Sequence, residues 1–269
     1  MAEKDNLDEI SCASAFKDED YNANMLERLN DFRLKGLFTD ITLCVGSEEF
    51  PCHKNVLAVS SPYFQAMFTS DLKESRENKI SFSAIPPWIM KLVIEYAYSG
   101  HIQITANNAQ EMLAASCLLQ YPSIVAKCED FLKKQLHPSN CLGIEMFALL
   151  HSCTKLAHEA NQYTQENFSS VIENDEFLEL PLERLKAYIS SDHIDVRTEE
   201  TVLDCVIRWV KSDLAKREKH LPVLLEKVRL SVMEFSSLKV IENNPLVSSS
   251  QPSLRLVEDA HKLKHSFQV

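Results

Sequence analysis

Between Leu37 and Phe68 the apolar spacing changes period once, and that change constrains the fold more than any other feature of the chain. Ile41, Leu43 and Val45 alternate with Thr42 and Cys44, the two-residue period of a half-buried strand. Gly46-Ser47 supplies a tight turn, because glycine reaches positive φ without steric cost. Phe50 and Cys52 carry the alternation into a return strand. The spacing then lengthens. Val56, Leu57 and Ser60 form one helical stripe, and Tyr63, Phe64, Met67 and Phe68 form another. Ser61-Pro62 between them predicts a cap followed by a first-turn proline.

These residues resemble the BTB/POZ domain. The family's Phe-Thr-Asp-aliphatic opening is met by Phe38-Thr39-Asp40-Ile41. Its Cys-His-Lys/Arg-x-Val-Leu-Ala segment is met by Cys52-His53-Lys54-Asn55-Val56-Leu57-Ala58. Its Ser-Pro-Tyr-Phe-x-x-Met-Phe helix is met by Ser61-Pro62-Tyr63-Phe64-Gln65-Ala66-Met67-Phe68. The resemblance implies an interaction module that usually forms homodimers, and no catalysis.

At 269 residues the chain is long enough for one large or two ordinary domains. Hydrophobic residues make up 45% of it, enough to build cores, and the mean hydropathy of −0.18 is that of a soluble protein. Four glycines argue against a propeller or a glycine-rich phosphate loop within the chain. The formal charge is −11. Residues 1–24 carry seven acids against Lys4 and Lys17, so almost half of that charge lies in the tail. An acidic chain gains nothing from counterion release on DNA, so nucleic acid is not an expected partner. There is no basic region followed by an apolar run, and no stretch of about 18 apolar residues; neither a signal peptide nor a membrane span is expected. The eight cysteines are scattered without a C-x-x-C pair. They read as small buried hydrophobes in a reducing cytoplasm, with the nucleus as the second compatible compartment.

Residues 1–24 are polar and aperiodic and are expected to form a disordered acidic tail. A helix is predicted over about 25–35, with Met25, Leu26, Leu29 and Phe32 as its apolar stripe. In BTB domains the corresponding helix packs against its twofold mate, so the resemblance makes these four residues a dimer seam; the alternative is packing within their own domain. A strand over 79–82 follows, then a helix opened by Pro86-Pro87, a short strand over 100–104, a helix capped by Asn107 or Asn108, and a helix opened by Pro122. This is BTB order over 25–136.

From His137 onward strand signals stop, and helices are predicted at about 139–153, 155–173, 174–179, 181–190, 198–215 and 218–228. This part resembles the BACK domain of the Kelch-like family. The resemblance is carried by Asn140-Cys-Leu-Gly143, Phe177-Leu-Glu-Leu180, Ser190-Ser-Asp192, Glu199-Glu-Thr-Val202, Trp209-Val210, Val228-Arg-Leu230 and the ending over 253–261. Ser231 stands where the family usually has proline. The expected architecture is an α+β BTB/POZ domain followed by an all-α BACK domain over 137–265, mostly helical overall. The helix pair at about 139–173 would be the family's 3-box. Kelch-like proteins normally continue into a six-bladed propeller that captures substrate. This chain stops where the propeller would begin, and reads as a shortened piece, a naturally short form or a relative that lost its propeller.

Cullin-3-binding BTB proteins carry a hydrophobic-x-Glu motif after the Met-Phe helix, and Leu72-Lys73-Glu74 satisfies it. An apolar side chain on an exposed connection can anchor in a partner pocket while the carboxylate sets orientation. The bland alternative is a solvated turn with one half-buried leucine. The resemblance carries Phe68, Asp71 and Tyr121 over to the same cullin-binding surface. In the 3-box pair, Met146, Phe147, Leu150 and Leu156 would form the core; a core stripe and a groove stripe have the same spacing.

Asp40 reads as a structural carboxylate that holds a cation or caps a turn, and His53 as a turn and packing residue rather than a base. Cys141, His151, Cys153 and His158 do not match zinc spacing, since His151 and Cys153 would stand about 200° apart around a helix. Lys211, Lys216, Arg217 and Lys219 form a basic cluster that reads as a solvated face. No metal or cofactor is implied. The expected function is that of a non-enzymatic adaptor. A BTB homodimer or mixed dimer would bind cullin-3 and bring a ubiquitin-ligase core to a protein substrate. The alternatives are a corepressor-binding or scaffolding BTB dimer, and a propeller-less competitor of full-length Kelch-like proteins.

Overall fold

A computed structural model describes residues 16–70 and 77–266. They fall into two compact units, one made of residues up to 104 with 114–122, the other of 105–113 with residues from 123 onward.

The first unit opens with α1 (Tyr21–Leu34), which starts ahead of the expected position 25. Asp18 Oδ1 accepts the Asp20 N–H at 3.1 Å and shapes the entry, so residues 21–24 leave the tail and join the helix. The helix closes in a Schellman turn: Gly36, at φ +65°, donates to the Arg33 carbonyl, and Leu37 donates to the Phe32 carbonyl at 2.8 Å. Strand β1 (Ile41–Val45) then lies at the centre of a three-stranded sheet. It runs antiparallel to β2 (Glu48–Cys52), with Ile41 opposite Cys52. Helices α2 (Lys54–Ser60) and α3 (Pro62–Thr69) follow. Strand β3 (Lys79–Phe82) pairs parallel to β1, with Leu43 opposite Ile80. The alternation predicted from sequence is observed, with Ile41, Leu43 and Val45 buried and Thr42 and Cys44 half-buried. Ser61 Oγ accepts the Phe64 N–H at 3.3 Å and donates to the Leu119 carbonyl at 2.6 Å, so the predicted cap also ties α3 to the chain beyond α4 (Pro87–Ser99).

The strand expected over 100–104 does not form. Gly100, at φ +70°, ends α4, and His101 folds back so that its N–H reaches Ser99 Oγ and its Nδ1 the Ser99 carbonyl. The polar groups there close on each other rather than on the sheet.

Helix α5 (Ala109–Leu118) contributes residues to both units. The second unit continues with α6 (Pro122–Lys134), α7 (Cys141–Leu150), α8 (Thr154–Glu166), α9 (Phe168–Val171) and α10 (Leu182–Ile189). Then come α11 (Glu199–Ser212), α12 (Leu214–Arg217), α13 (Leu221–Leu225), α14 (Phe235–Glu242), α15 (Pro245–Ser248) and α16 (Gln251–Ser266). The segment predicted as one helix over 155–173 breaks at Asn167, whose side-chain amide donates to the Tyr163 carbonyl at 2.9 Å. The one predicted over 198–215 breaks at Asp213, a non-helical residue at φ −147°, ψ 71°. Helices α14 and α15 were not expected from sequence; each is short and shows one or two buried residues, too few for a clear period.

The core of this unit gathers around α11, where Val202, Cys205, Val206, Trp209 and Val210 are buried with Phe168, Phe177, Leu185 and Tyr188. Trp209 Nε1 donates to the Leu180 carbonyl at 2.9 Å, which satisfies the indole inside that core. No helix of the described residues is long and apolar enough to cross a membrane.

Candidate protein-interaction surfaces

Helix α1 buries none of its residues within its own unit. Leu26, Leu29 and Phe32 are half-buried, and Met25 is 51% exposed. The helix forms one wall of a groove of about 500 Å³, whose other walls come from α2 and α4. Val56, Val59, Tyr96 and Ala97 line it opposite Met25, Leu26 and Leu29. Val59 is 90% exposed at its rim. The apolar stripe of α1 is thus only partly covered within its own unit.

The junction between α1 and β1 is held by polar contacts. Asp40 Oδ1 accepts the Lys54 N–H at 2.7 Å at the start of α2, where a carboxylate also complements the helix dipole. His53 is buried. Its Nε2 lies 3.0 Å from the Leu37 carbonyl and its Nδ1 2.9 Å from the Tyr98 hydroxyl, which also accepts the His53 N–H at 2.8 Å. Both residues thus do the structural work expected of them from sequence.

In the second unit, α7 and α8 pack against each other, α7 burying Cys141, Leu142, Ile144, Glu145 and Ala148. The expected core of this pair is corrected: Leu156 is buried, but Met146 and Leu150 are exposed together with Leu149, and Phe147 is half-buried against the His151 ring at 4.6 Å. The buried face runs through Cys141, Leu142, Ile144, Glu145 and Ala148, and Met146, Leu149 and Leu150 lie outward.

Glu145 is 3% exposed. It is ion-paired with Arg184 and accepts hydrogen bonds from Tyr188 Oη and, at 2.9 Å, from Asn161 Nδ2. Nearby, Glu176 Oε1 accepts the Gly143 N–H at 2.9 Å in the first turn of α7. A Cβ at position 143 would collide with that carboxylate. Burial pushes the Glu176 carboxyl above its usual range, against the lowering effect of the backbone N–H groups.

Two family models match the chain, one described as the BTB/POZ domain over residues 29–136 and one as BACK, "BTB And C-terminal Kelch", over residues 141–242. The chain is a Kelch-like BTB–BACK protein. It is 39% identical over 223 residues to Kelch-like protein 2 of Rattus norvegicus, and equally so to the Mus musculus and Homo sapiens proteins of that name. Each alignment covers 82% of this chain and 38% of the relative, so the chain spans well under half the length of these curated relatives. The BTB domain of zebrafish PATZ1 is 29% identical, with a TM-score of 0.42, and the match covers 45% of this chain and 99% of that one.

Within the BTB–BACK protein the expected cullin-binding residues separate. Asp71, Leu72 and Glu74 lie outside the described residues. Phe68 lies in the last turn of α3, half-buried, its ring stacked on Phe64 at 5.8 Å with the Lys54 ammonium 5.7 Å from its centroid. Tyr121 is 2% exposed. Its hydroxyl meets Ser60 Oγ at 2.9 Å and its ring packs edge-on against Tyr96; burial pushes its phenol up to about 12. So placed, Tyr121 ties the segment after α5 to the end of α2. The basic cluster is corrected in part as well. Arg217 is half-buried, stacks 4.1 Å over the Trp209 ring and donates to the Leu178 and Trp209 carbonyls. Sequence reasoning missed Glu145 and Glu176, because a carboxylate within a helical stripe carries no mark of a partner more than thirty positions away.

Proposed function

We propose that this chain is a non-enzymatic adaptor module that dimerises through α1 and binds cullin-3 to serve a ubiquitin ligase. The observation that carries the reading is the pairing of a BTB domain with a BACK domain in one chain, together with an α1 whose apolar stripe is only partly covered. Met25, Leu26, Leu29 and Phe32 would meet the same residues of a second copy, an isologous contact natural to a twofold dimer. Phe68, Asp71, Leu72 and Glu74 would contact cullin-3, with the exposed Met146, Leu149 and Leu150 of α7 offering a second apolar contact. Substrate capture would fall to a propeller domain of the kind that follows BACK in the family.

Calorimetric titration of the chain with the N-terminal domain of cullin-3 tests this reading, with light scattering for the dimer. Tight binding that is lost in Leu72→Ala and Glu74→Ala, with the dimer mass unchanged, is the expected result. A folded dimer that fails to bind cullin-3 would overturn the adaptor reading and leave the corepressor-binding or scaffold reading in its place.

A further inference from the structure

Helix α7 is turned against the pull of burial. A carboxylate, Glu145, sits in its buried face at 3% exposure, while Met146, Leu149 and Leu150 are 40%, 47% and 78% exposed. On a regular helix Met146 and Leu149 stand on either side of Leu142. A turn of α7 by about 90° about its axis would bring those three to the middle of the buried face and move Ile144 and Ala148 outward. That exchange covers more apolar surface than it uncovers, so the hydrophobic effect alone favours it.

Glu145 opposes the turn. Three donors from two other helices converge on its carboxylate. Oε1 accepts Asn161 Nδ2 of α8 at 2.9 Å and is ion-paired with Arg184 of α10. Oε2 accepts the Tyr188 hydroxyl, one turn along α10 from Arg184. The donors are themselves held: Gln165 Nε2 donates to Asn161 Oδ1 at 2.8 Å, and the Arg184 guanidinium lies 5.5 Å from the Tyr188 ring centroid. Turning α7 would draw the carboxylate away from these donors and leave the half-buried Arg184 without its counter-charge. A buried ion pair adds little net stability over an apolar pair of the same volume, but separating its charges is strongly unfavourable, so it selects one arrangement. The other polar hold on α7 differs in kind. Glu176 accepts the Gly143 N–H, and a backbone N–H in the first turn points along the helix axis, so that bond fixes where α7 starts rather than how it is turned.

We infer that Glu145 is a positioning residue that sets the rotation of α7: held by Asn161, Tyr188 and Arg184, it keeps Met146, Leu149 and Leu150 facing outward. The inference goes beyond the adaptor reading and stands apart from it, because the rotation of α7 is read without cullin-3.

Methionine oxidation of the full chain by dilute hydrogen peroxide, followed peptide by peptide in the mass spectrometer, tests this, since sulfoxide formation follows exposure. A free methionine derivative in the same tube normalises the rates. Met233, 2% exposed in the same unit, reports that the fold is intact. In wild type Met146 should react and Met233 should be protected. In Glu145→Leu with Arg184→Leu, Met233 should stay protected and Met146 should slow at least about threefold as it turns inward. Tyr188→Phe with Asn161→Leu keeps the ion pair and removes the other two donors; it should slow Met146 by a smaller factor. Glu145→Gln keeps the shape and an acceptor and should react like wild type. An unchanged Met146 rate in the first double variant, or a slowing in Glu145→Gln as large as in that variant, would overturn the inference. Should the first double variant lose its Met233 protection, the second decides: an unchanged Met146 rate there overturns the inference as well.

Discussion

The Tyr121 hydroxyl lies 2.9 Å from Ser60 Oγ, inside the BTB unit, and Ser60 in turn bonds the Leu57 carbonyl at the end of α2. Tyr121→Phe removes one hydrogen bond and keeps the ring. It should destabilise the chain by about 1 kcal/mol and leave cullin-3 affinity unchanged, as read by urea unfolding and calorimetry. Tyr121→Ala should cost about 3–5 kcal/mol through the cavity it leaves.

In the second unit Glu145, which is buried, is ion-paired with the half-buried Arg184. Glu145→Ala strands the guanidinium together with the Tyr188 hydroxyl and should lower stability by about 3–5 kcal/mol. Thermal unfolding checks this, and the double variant Glu145→Leu with Arg184→Leu should recover much of the loss, because it leaves no unpaired charge.

Glu176 gives a pH dependence of known sign. Its folded-state carboxyl is raised by burial, so the folded chain holds this proton more tightly than the unfolded chain. Its contribution to stability is full below the ordinary carboxylate range and is lost as pH rises through the higher folded-state value. Glu176→Gln should therefore gain on wild type between about pH 4 and about pH 7 in denaturant midpoints. Gly143→Ala displaces the carboxylate and should flatten the same slope. Its net stability change should be small, since about 0.5–1 kcal/mol of helix propensity offsets a hydrogen bond of about 0.5–1.5 kcal/mol.

Met25 is half-exposed on α1 and has little to lose within its own unit. Met25→Glu should change monomer stability by no more than about 0.5 kcal/mol. If α1 is the dimer seam, the substitution should weaken self-association at least about tenfold, measured by sedimentation over a concentration series.

Arg217→Lys keeps the charge but loses the planar stack on Trp209 and the fork of bonds to two carbonyls. A stability loss of about 1–2 kcal/mol is expected, together with a change in tryptophan emission.

The Leu37–Phe68 stretch was readable because its information is local. Alternation along β1 names the buried face, and Ser61 caps a helix three residues away. The same held for the switch to helical spacing after His137, just ahead of the BACK match over 141–242. Apolar stripes, however, state only that a face will be covered. They do not say by what, and this is why Met146 and Leu150 were expected inside and lie outside.

The sequence by itself determined the hairpin and the two helices that follow it, the capped and glycine turns, and the family to which the chain belongs, because periodicity and steric preference act over a few residues. Tertiary structure alone decided that Tyr121 is inside, that Glu145 meets Arg184, and that His53 holds the Leu37 carbonyl. Those outcomes depend on which donors and acceptors lose water together. Desolvation is settled by groups sixteen to sixty-one positions apart along the chain, and no local pattern encodes such distances.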